Sequence, residues 1–236
     1  MRAMRTRLLL VPAALALAGC VPLPGIGADP GPEQREERSI EDATEVELAT
    51  GGELILRPGD VPSLEVFAGE NVLEHLTSDV RDGRLVLGDD GTLHDLGEVR
   101  FEVVLPAVDA VELSGSGSID VLAPSALRDV VLSGSGTIGV EGLDTEELRV
   151  ELSGSGQLEM EGAATRQDVS IDGSGTYDAG ELRSEDATVT VSGSGTAEVS
   201  VSSALEAVIE GSGTITYAGD PAVDSRIDGS GTVAPR

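Results

Sequence analysis

The chain has 236 residues and a formal net charge of −28. It contains no Lys, so every full positive charge is an Arg, and so acidic a chain lacks the means to neutralise nucleic-acid phosphates. Hydrophobic residues make up 39% but aromatics only 2%, with no Trp, which argues against a broad ring-filled interior and for narrow, regularly stacked aliphatic structure.

Residues 1–19 read as an export signal. Arg2, Arg5 and Arg7 form a basic start, and the apolar run from Leu8 to Ala18 is too short to span a bilayer. The run closes on Leu17-Ala18-Gly19-Cys20, which resembles the bacterial lipobox. That resemblance implies lipidation of Cys20, cleavage before it, and the membrane as a partner through the lipid anchor. Several acyl chains hold stably where one is marginal. Cys20 is the only cysteine, so no intramolecular disulfide is available. The alternative is a cleaved secretory signal with an incidental Cys. Loss of residues 1–19 leaves 12 Arg against 43 acids, a net charge of −31.

Residues 20–38 are rich in Pro, Gly and charge with no apolar period, and are expected to be a flexible tether. Residues 39–108 continue as a β-patterned, irregular N-terminal cap. Val46 to Leu56 superposes on Val111 to Val121 with its apolar positions in phase and Gly52 on Gly117, as a degenerate copy of the repeat that follows. Further strands are expected at Leu64–Phe67, Arg84–Leu87 and Val99–Leu105, with a helical turn over Asn71–Leu76.

Residues 109–236 repeat. The tetrapeptide Ser-Gly-Ser-Gly or a close variant begins at Ser114, Ser133, Ser153, Asp172, Ser192, Glu210 and Asp228, at spacings of 18 to 20. An aliphatic residue precedes each copy (Leu113, Leu132, Leu152, Ile171, Val191, Ile209, Ile227), and apolar and polar residues alternate on both sides. That is the period of half-buried strands. Each unit reads as strand, Gly-Ser-Gly, strand and then a variable turn, such as Ala123-Pro124-Ser125 or Gly142-Leu143-Asp144.

The turn glycines are Gly115 and Gly117, Gly134 and Gly136, Gly154 and Gly156, Gly173 and Gly175, Gly193 and Gly195, Gly211 and Gly213, and Gly229 and Gly231. Either they point inward where the cross-section narrows, or they form a corner that resets the frame, and both roles need a missing Cβ. The Ser between each pair, from Ser116 to Ser230, is expected to form a ladder when coils stack about 4.8 Å apart. A period this short fits one coil of an all-β parallel β-helix, a solenoid whose irregular first part serves as its cap.

Four segments in order resemble the head GIN domain family of autotransporter adhesin heads: ATEVELATGGELILRPGD, ENVLEHLTSDVRDGRLVLG, VVLPAVDAVELSGSGSIDV and the recurring GSG turns. They cover about residues 39–233, although the GIN tripeptide itself is absent. The resemblance implies a β-helix-like fold, a cell-envelope location on the outer face of a bacterial membrane, and adhesion without defined chemistry. It carries over no catalytic residue.

Asp120, Glu159, Asp178 and Glu198 follow the repeat motif in phase, giving an acidic column interrupted by Gly139. Such a column could collect divalent cations or simply be a solvated face. His75 and His94 are the only histidines, which leaves zinc and a Ser-His-Asp triad with little support, and no cofactor is expected. The reading that follows is a non-enzymatic module for adhesion, scaffolding or ligand binding, with an envelope polysaccharide or surface protein as partner. The alternatives are a β-helical polysaccharide lyase or hydrolase and a Ser/Thr template for ice or mineral.

Overall fold

Each Gly-Ser-Gly turn lies over the turn of the preceding coil. In a computed structural model that describes residues 29–92, 95–124 and 127–236, Ser135 N donates to Gly115 O at 3.0 Å and Ser155 N to Gly134 O at 2.9 Å. The series runs on to Ser230 N and Gly211 O at 2.8 Å, so the turn backbones satisfy one another along a single edge. The fold is the expected all-β parallel solenoid.

The elements in chain order are β1 (Glu33–Arg38), β2 (Glu45–Leu48), β3 (Glu53–Pro58), β4 (Ser63–Gly69), one helical turn α1 (Glu70–Leu73), β5 (Leu76–Arg81), β6 (Arg84–Asp89) and β7 (Arg100–Leu105). The repeats supply β8 (Ala110–Gly115), β9 (Ser118–Leu122), β10 (Asp129–Gly134), β11 (Thr137–Gly154), β12 (Gln157–Gly173), β13 (Thr176–Gly193), β14 (Thr196–Gly211), β15 (Thr214–Ala218), β16 (Ala222–Gly229) and β17 (Thr232–Pro235). From β11 to β14 the chain stays extended from one turn to the next. The segment Gly142-Leu143-Asp144, expected to be a turn, is a bulge within β11. A third strand-like face therefore replaces the variable loop.

The parallel register carries the aliphatic alternation inward. Val111, Val130, Val150, Val169 and Val189 stack as one row, and Leu113, Leu132, Leu152, Ile171 and Val191 as the next. These side chains are 0–1% exposed and belong to one core running from Ala43 to Ile215. Where one rung carries a large residue its neighbours shrink. Tyr177 pairs with Ala197, and Ala179 and Ala187 lie in the same rung, which keeps the column filled at interior density.

The two glycines of each turn take the two roles that the sequence leaves open. Gly134, with φ of 137°, is the corner, and a Cβ there would lie 2.2 Å from Gly115 O. Gly136 points inward, where a Cβ would sit 2.4 Å from Gly117 O and 2.6 Å from Leu113 Cδ2.

The N-terminal part is a rung of the same solenoid placed out of sequence order. β2 and β3 pair in parallel with β8 and β9, matching Val46 with Val111, Leu48 with Leu113, Leu54 with Ile119 and Leu56 with Val121, as the alignment of those segments predicts. On their other side β2 and β3 pair in parallel with β6 and β7. The chain thus starts one rung in, travels outward through β4, α1 and β5, and returns past its own beginning to enter the repeats. β5 pairs antiparallel with β6, and β4 with β7, which covers this end of the stack.

The tether expected over residues 20–38 ends earlier than its composition suggests. Glu33–Arg38 is β1, antiparallel to β4. Its anchor is Arg38, whose Nη1 donates to Leu76 O at 2.8 Å and Nη2 to Leu73 O at 2.9 Å while Nε pairs with Glu36. A guanidinium that satisfies one carbonyl at the end of α1 and one at the start of β5 fixes a strand whose side chains carry no hydrophobic signal. The helical turn itself covers Glu70–Leu73, and Leu76 already belongs to β5.

Candidate functional site

The third face is where the coils differ from one another. Between the inward residues that bound it, this face spans residues 180–186 in the rung from Ala179 to Ala187 but only 200–204 in the next, from Val199 to Leu205. The register absorbs the loss by pairing Arg183 with Ser200 and Ser184 with Val201, which leaves Gly180 to Leu182 without partners in β14. The face narrows at that step, and a groove opens along it.

Two contiguous depressions make up the groove. One, of about 630 Å³, is floored by small residues including Ala163, Ala164, Ser184, Ser200 and Ser202, with Arg183 and Glu185 on its rim. The other, of about 720 Å³, is lined by Arg128, Glu146, Glu147 and Arg166. Asp144, Thr145 and Thr165 border both, so they form one channel across several rungs. Arg166 reaches Asp186 at 3.7 Å, whereas Arg128 and Arg183 have no carboxylate within ion-pair distance among the described residues. In a chain this acidic, guanidinium groups beside a small-residue floor offer an extended polar chain both charge and hydrogen bonds.

A buried polar relay holds the floor in place. Tyr177 Oη donates to Gln167 Oε1, Gln167 Nε2 donates to Ser184 Oγ at 2.8 Å, and Ser184 Oγ donates to Ser200 O at 2.9 Å. Ser184 thereby links the core to the groove surface. The sequence signals for this site are the shortening of the repeat from 20 to 18 residues after Ser192 and a polar Gln167 in a row otherwise filled by Leu148, Ala187 and Leu205.

The acidic column proposed from the repeat is present as a column. Asp120 pairs with Gly139, Gly139 with Glu159, Glu159 with Asp178, and Asp178 with Glu198, all pointing outward on the second face. The carboxylates do not converge. Glu198 is held by Arg236 at 2.5 Å, Glu159 accepts from Gln157 Nε2 at 2.6 Å, and Asp178 accepts from Gly180 N at 3.2 Å. No group of three or more His, Cys, Asp or Glu among the described residues is placed to hold a metal. Glu159, Asp178 and Glu198 are thus each engaged by a different neighbour, and Asp120 stands next to Gly139 in the register, so the column is a row of separately placed carboxylates.

His75 Nδ1 lies 3.0 Å from Asp90 Oδ2 beside the β5–β6 hairpin. The hydrogen bond to Asp90 raises the imidazole pKa, while His75 and the Thr92 backbone hold Asp90 down at about 2. The pair lies far along the chain from the groove and ties the N-terminal end together. His94 and Cys20 lie outside the described residues, as does the export signal. No helix among the described residues is long and apolar enough to cross a membrane.

Solved structures share this architecture. A "putative adhesin" of Bacteroides fragilis superposes with a TM-score of 0.80 at 18% identity, over 87% of this chain and 97% of that one. A "putative lipid binding protein" of Parabacteroides distasonis gives 0.71 at 22%, over 87% and 97%. A "putative adhesin" of Parabacteroides merdae gives 0.69 at 22%, over 89% and 98%. At these identities the likeness establishes the fold alone. No curated protein matches the sequence. The family model "Putative auto-transporter adhesin, head GIN domain" matches residues 42–221, most of the chain and every rung from β2–β3 to β15, and the protein belongs to that family.

Proposed function

We propose that this protein is a non-catalytic adhesion or ligand-binding module of the cell envelope, held to a membrane by lipid on Cys20, and that the third-face groove is its contact surface. The observation that carries the reading is the groove itself, an open channel over several rungs with Arg128, Arg166 and Arg183 along a Ser, Thr and Ala floor. Its length and openness, and a lining in which these Arg alternate with Asp144, Glu146, Glu147, Glu185 and Asp220, suit an extended, hydroxyl-rich polymer such as an envelope polysaccharide. A rigid stack of rungs presents such a surface without paying to order it on binding. Membership of an adhesin-head family supports an exported surface role.

Retention of the purified protein on immobilised envelope polysaccharides tests the proposal. Thr165 is exposed and borders both depressions. Thr165→Trp fills the channel and is expected to cut retention at least about tenfold, with unfolding stability within about 0.5 kcal/mol of wild type. No retention of wild type on any polymer or partner cell, or equal retention of the variant, overturns the assignment of the groove. Shortening of the bound polymer on incubation supports the lyase or hydrolase alternative instead. The lipid is tested separately by labelling cells with a fatty acid, which is expected to mark the wild type and not Cys20→Ser.

A further inference from the structure

The last rung leaves two large apolar side chains in the open, Val223 at 39% and Ile227 at 43% exposure, both on β16. Their register partners in the preceding rung, Leu205 and Ile209, are 1% and 0% exposed. β16 pairs on one side with β14, and among the described residues no strand pairs with its other side. A solenoid needs its terminal hydrophobic rows covered, and a bare strand edge is a template for another strand.

The direction of the free backbone groups follows from the ladder. Arg149 N donates to Arg128 O in the rung before it, and Asp224 occupies the equivalent position through Asp168, Thr188 and Glu206. Asp224, Arg226 and Asp228 therefore turn their amides and carbonyls toward β14. By alternation, Val223, Ser225 and Ile227 turn theirs to the open edge.

We infer that this edge binds a second copy of the chain, β16 against the partner's β16, about a two-fold axis at Ser225. Turning one solenoid end-on to another reverses its strands, so the contact is antiparallel and closes on itself. In this register Val223 lies opposite the partner's Ile227 and Asp224 opposite the partner's Arg226, each twice. Ser225, a small residue in a row that is mostly Val in earlier rungs, meets its own copy on the axis. Centring on Arg226 instead sets Arg against Arg and Asp224 against Asp228. Centring on Ile227 carries Val223 past the end of the opposing strand. Charge and apolar matching thus select one register, in which outward charges and inward aliphatics are paired together.

Two short strands bury little area, so the dimer is expected to be modest and to form by about 100 µM. The test is sedimentation velocity of the protein, isolated in non-ionic detergent, across a concentration series. Asp224→Arg places Arg opposite Arg, and Arg226→Asp places Asp opposite Asp. Each is expected to weaken association at least about tenfold, and the double exchange D224R/R226D, which restores opposite charges, to return it to within about threefold of wild type. A wild type that stays monomeric throughout, a dimer indifferent to the single reversals, or a double exchange that fails to recover overturns the inference. All four proteins keep the groove on the third face, so polysaccharide retention scores the proposed function independently of the dimer.

Discussion

The Tyr177 hydroxyl donates to Gln167 Oε1 at 2.9 Å, with both side chains fully buried in the aliphatic column. Every other position of these two inward rows among the repeats is apolar, so the pair is a polar insertion, and it is complete because Gln167 passes its own donor to Ser184. Removing one member strands the others. Tyr177→Phe is expected to cost about 1–3 kcal/mol in denaturant unfolding, because Gln167 Oε1 loses its partner where water cannot replace it. Adding Gln167→Leu to that variant should recover part of the loss. Burial also pushes the phenol above its ordinary pKa. Since the unfolded phenol ionises near 10, this contribution is intact below that pH and is lost as pH rises beyond it, which a stability profile from pH 8 to 11 should reveal.

Gly136 tests the turn. A Cβ there would meet Gly117 O and Leu113 Cδ2 at 2.4 and 2.6 Å, and the first contact is backbone that is itself fixed by the rung beneath. Gly136→Ala is expected to destabilise by about 2–4 kcal/mol through overpacking. Gly51 belongs to the degenerate turn and would meet nothing within 4 Å, so Gly51→Ala should change stability by less than about 0.5 kcal/mol. Thermal or urea melts of the two variants separate a steric requirement for glycine from a mere preference for it.

The repeat was legible because its residues report their own surroundings. Alternation around Leu113 or Leu152 marks the inward face, and paired glycines mark the corner, so rung register could be read by aligning copies. The degenerate rung at Val46–Leu56 was legible for the same reason. Its position between β6–β7 and β8–β9 was not, since an apolar period says which face is buried but not which strand lies beside it. β1 was hidden because Glu33–Arg38 is stabilised by main-chain pairing and two guanidinium groups, Arg38 and the Arg35 that pairs with Glu65 on β4, none of which leaves a hydrophobic trace. The groove was half visible. The repeat shortens in the sequence, but only the bulged register across Arg183 and Ser184 turns two missing residues into a channel.

His75 and Asp90 should titrate as a pair. The imidazole is raised from 6.5 by its bond to Asp90, so proton NMR is expected to show His75 titrating above that value, and Asp90→Asn should bring it back toward 6.5. The sign of the linkage follows from each shift. The raised histidine favours the folded state below pH 6.5 and loses that effect as pH climbs through its folded pKa. The lowered carboxylate favours the folded state above about 3.8 and loses that effect as pH falls through about 2. Between these limits the pair is charged on both sides, and amide protection at the β5–β6 hairpin, taken relative to the intrinsic exchange rate at each pH, should be greatest there.

Arg84 tests how the out-of-order rung is held. From β6 its guanidinium donates to Glu45 Oε2 at 3.0 Å and Glu47 Oε2 at 3.4 Å on β2, and to Glu112 Oε2 at 2.5 Å on β8. One cation therefore spans three successive rungs, the middle of which is the earliest of the three in the chain. Glu47 and Glu112 are direct register partners, so without Arg84 two like charges face each other across the β2–β8 ladder. The side chain is 39% exposed, which limits each contact through solvent screening. Arg84→Ala is accordingly expected to cost about 1 kcal/mol at low ionic strength and less at about 1 M salt, where the Debye length falls to about 3 Å. Arg84→Lys keeps the charge but offers a compact ammonium in place of a planar fork, and should fall between the two. If the guanidinium holds β2 in its place, the loss will be local. Amide exchange should quicken at Val46 and Leu48 in β2 while Val150 and Val169, several rungs away, remain as protected as in the wild type.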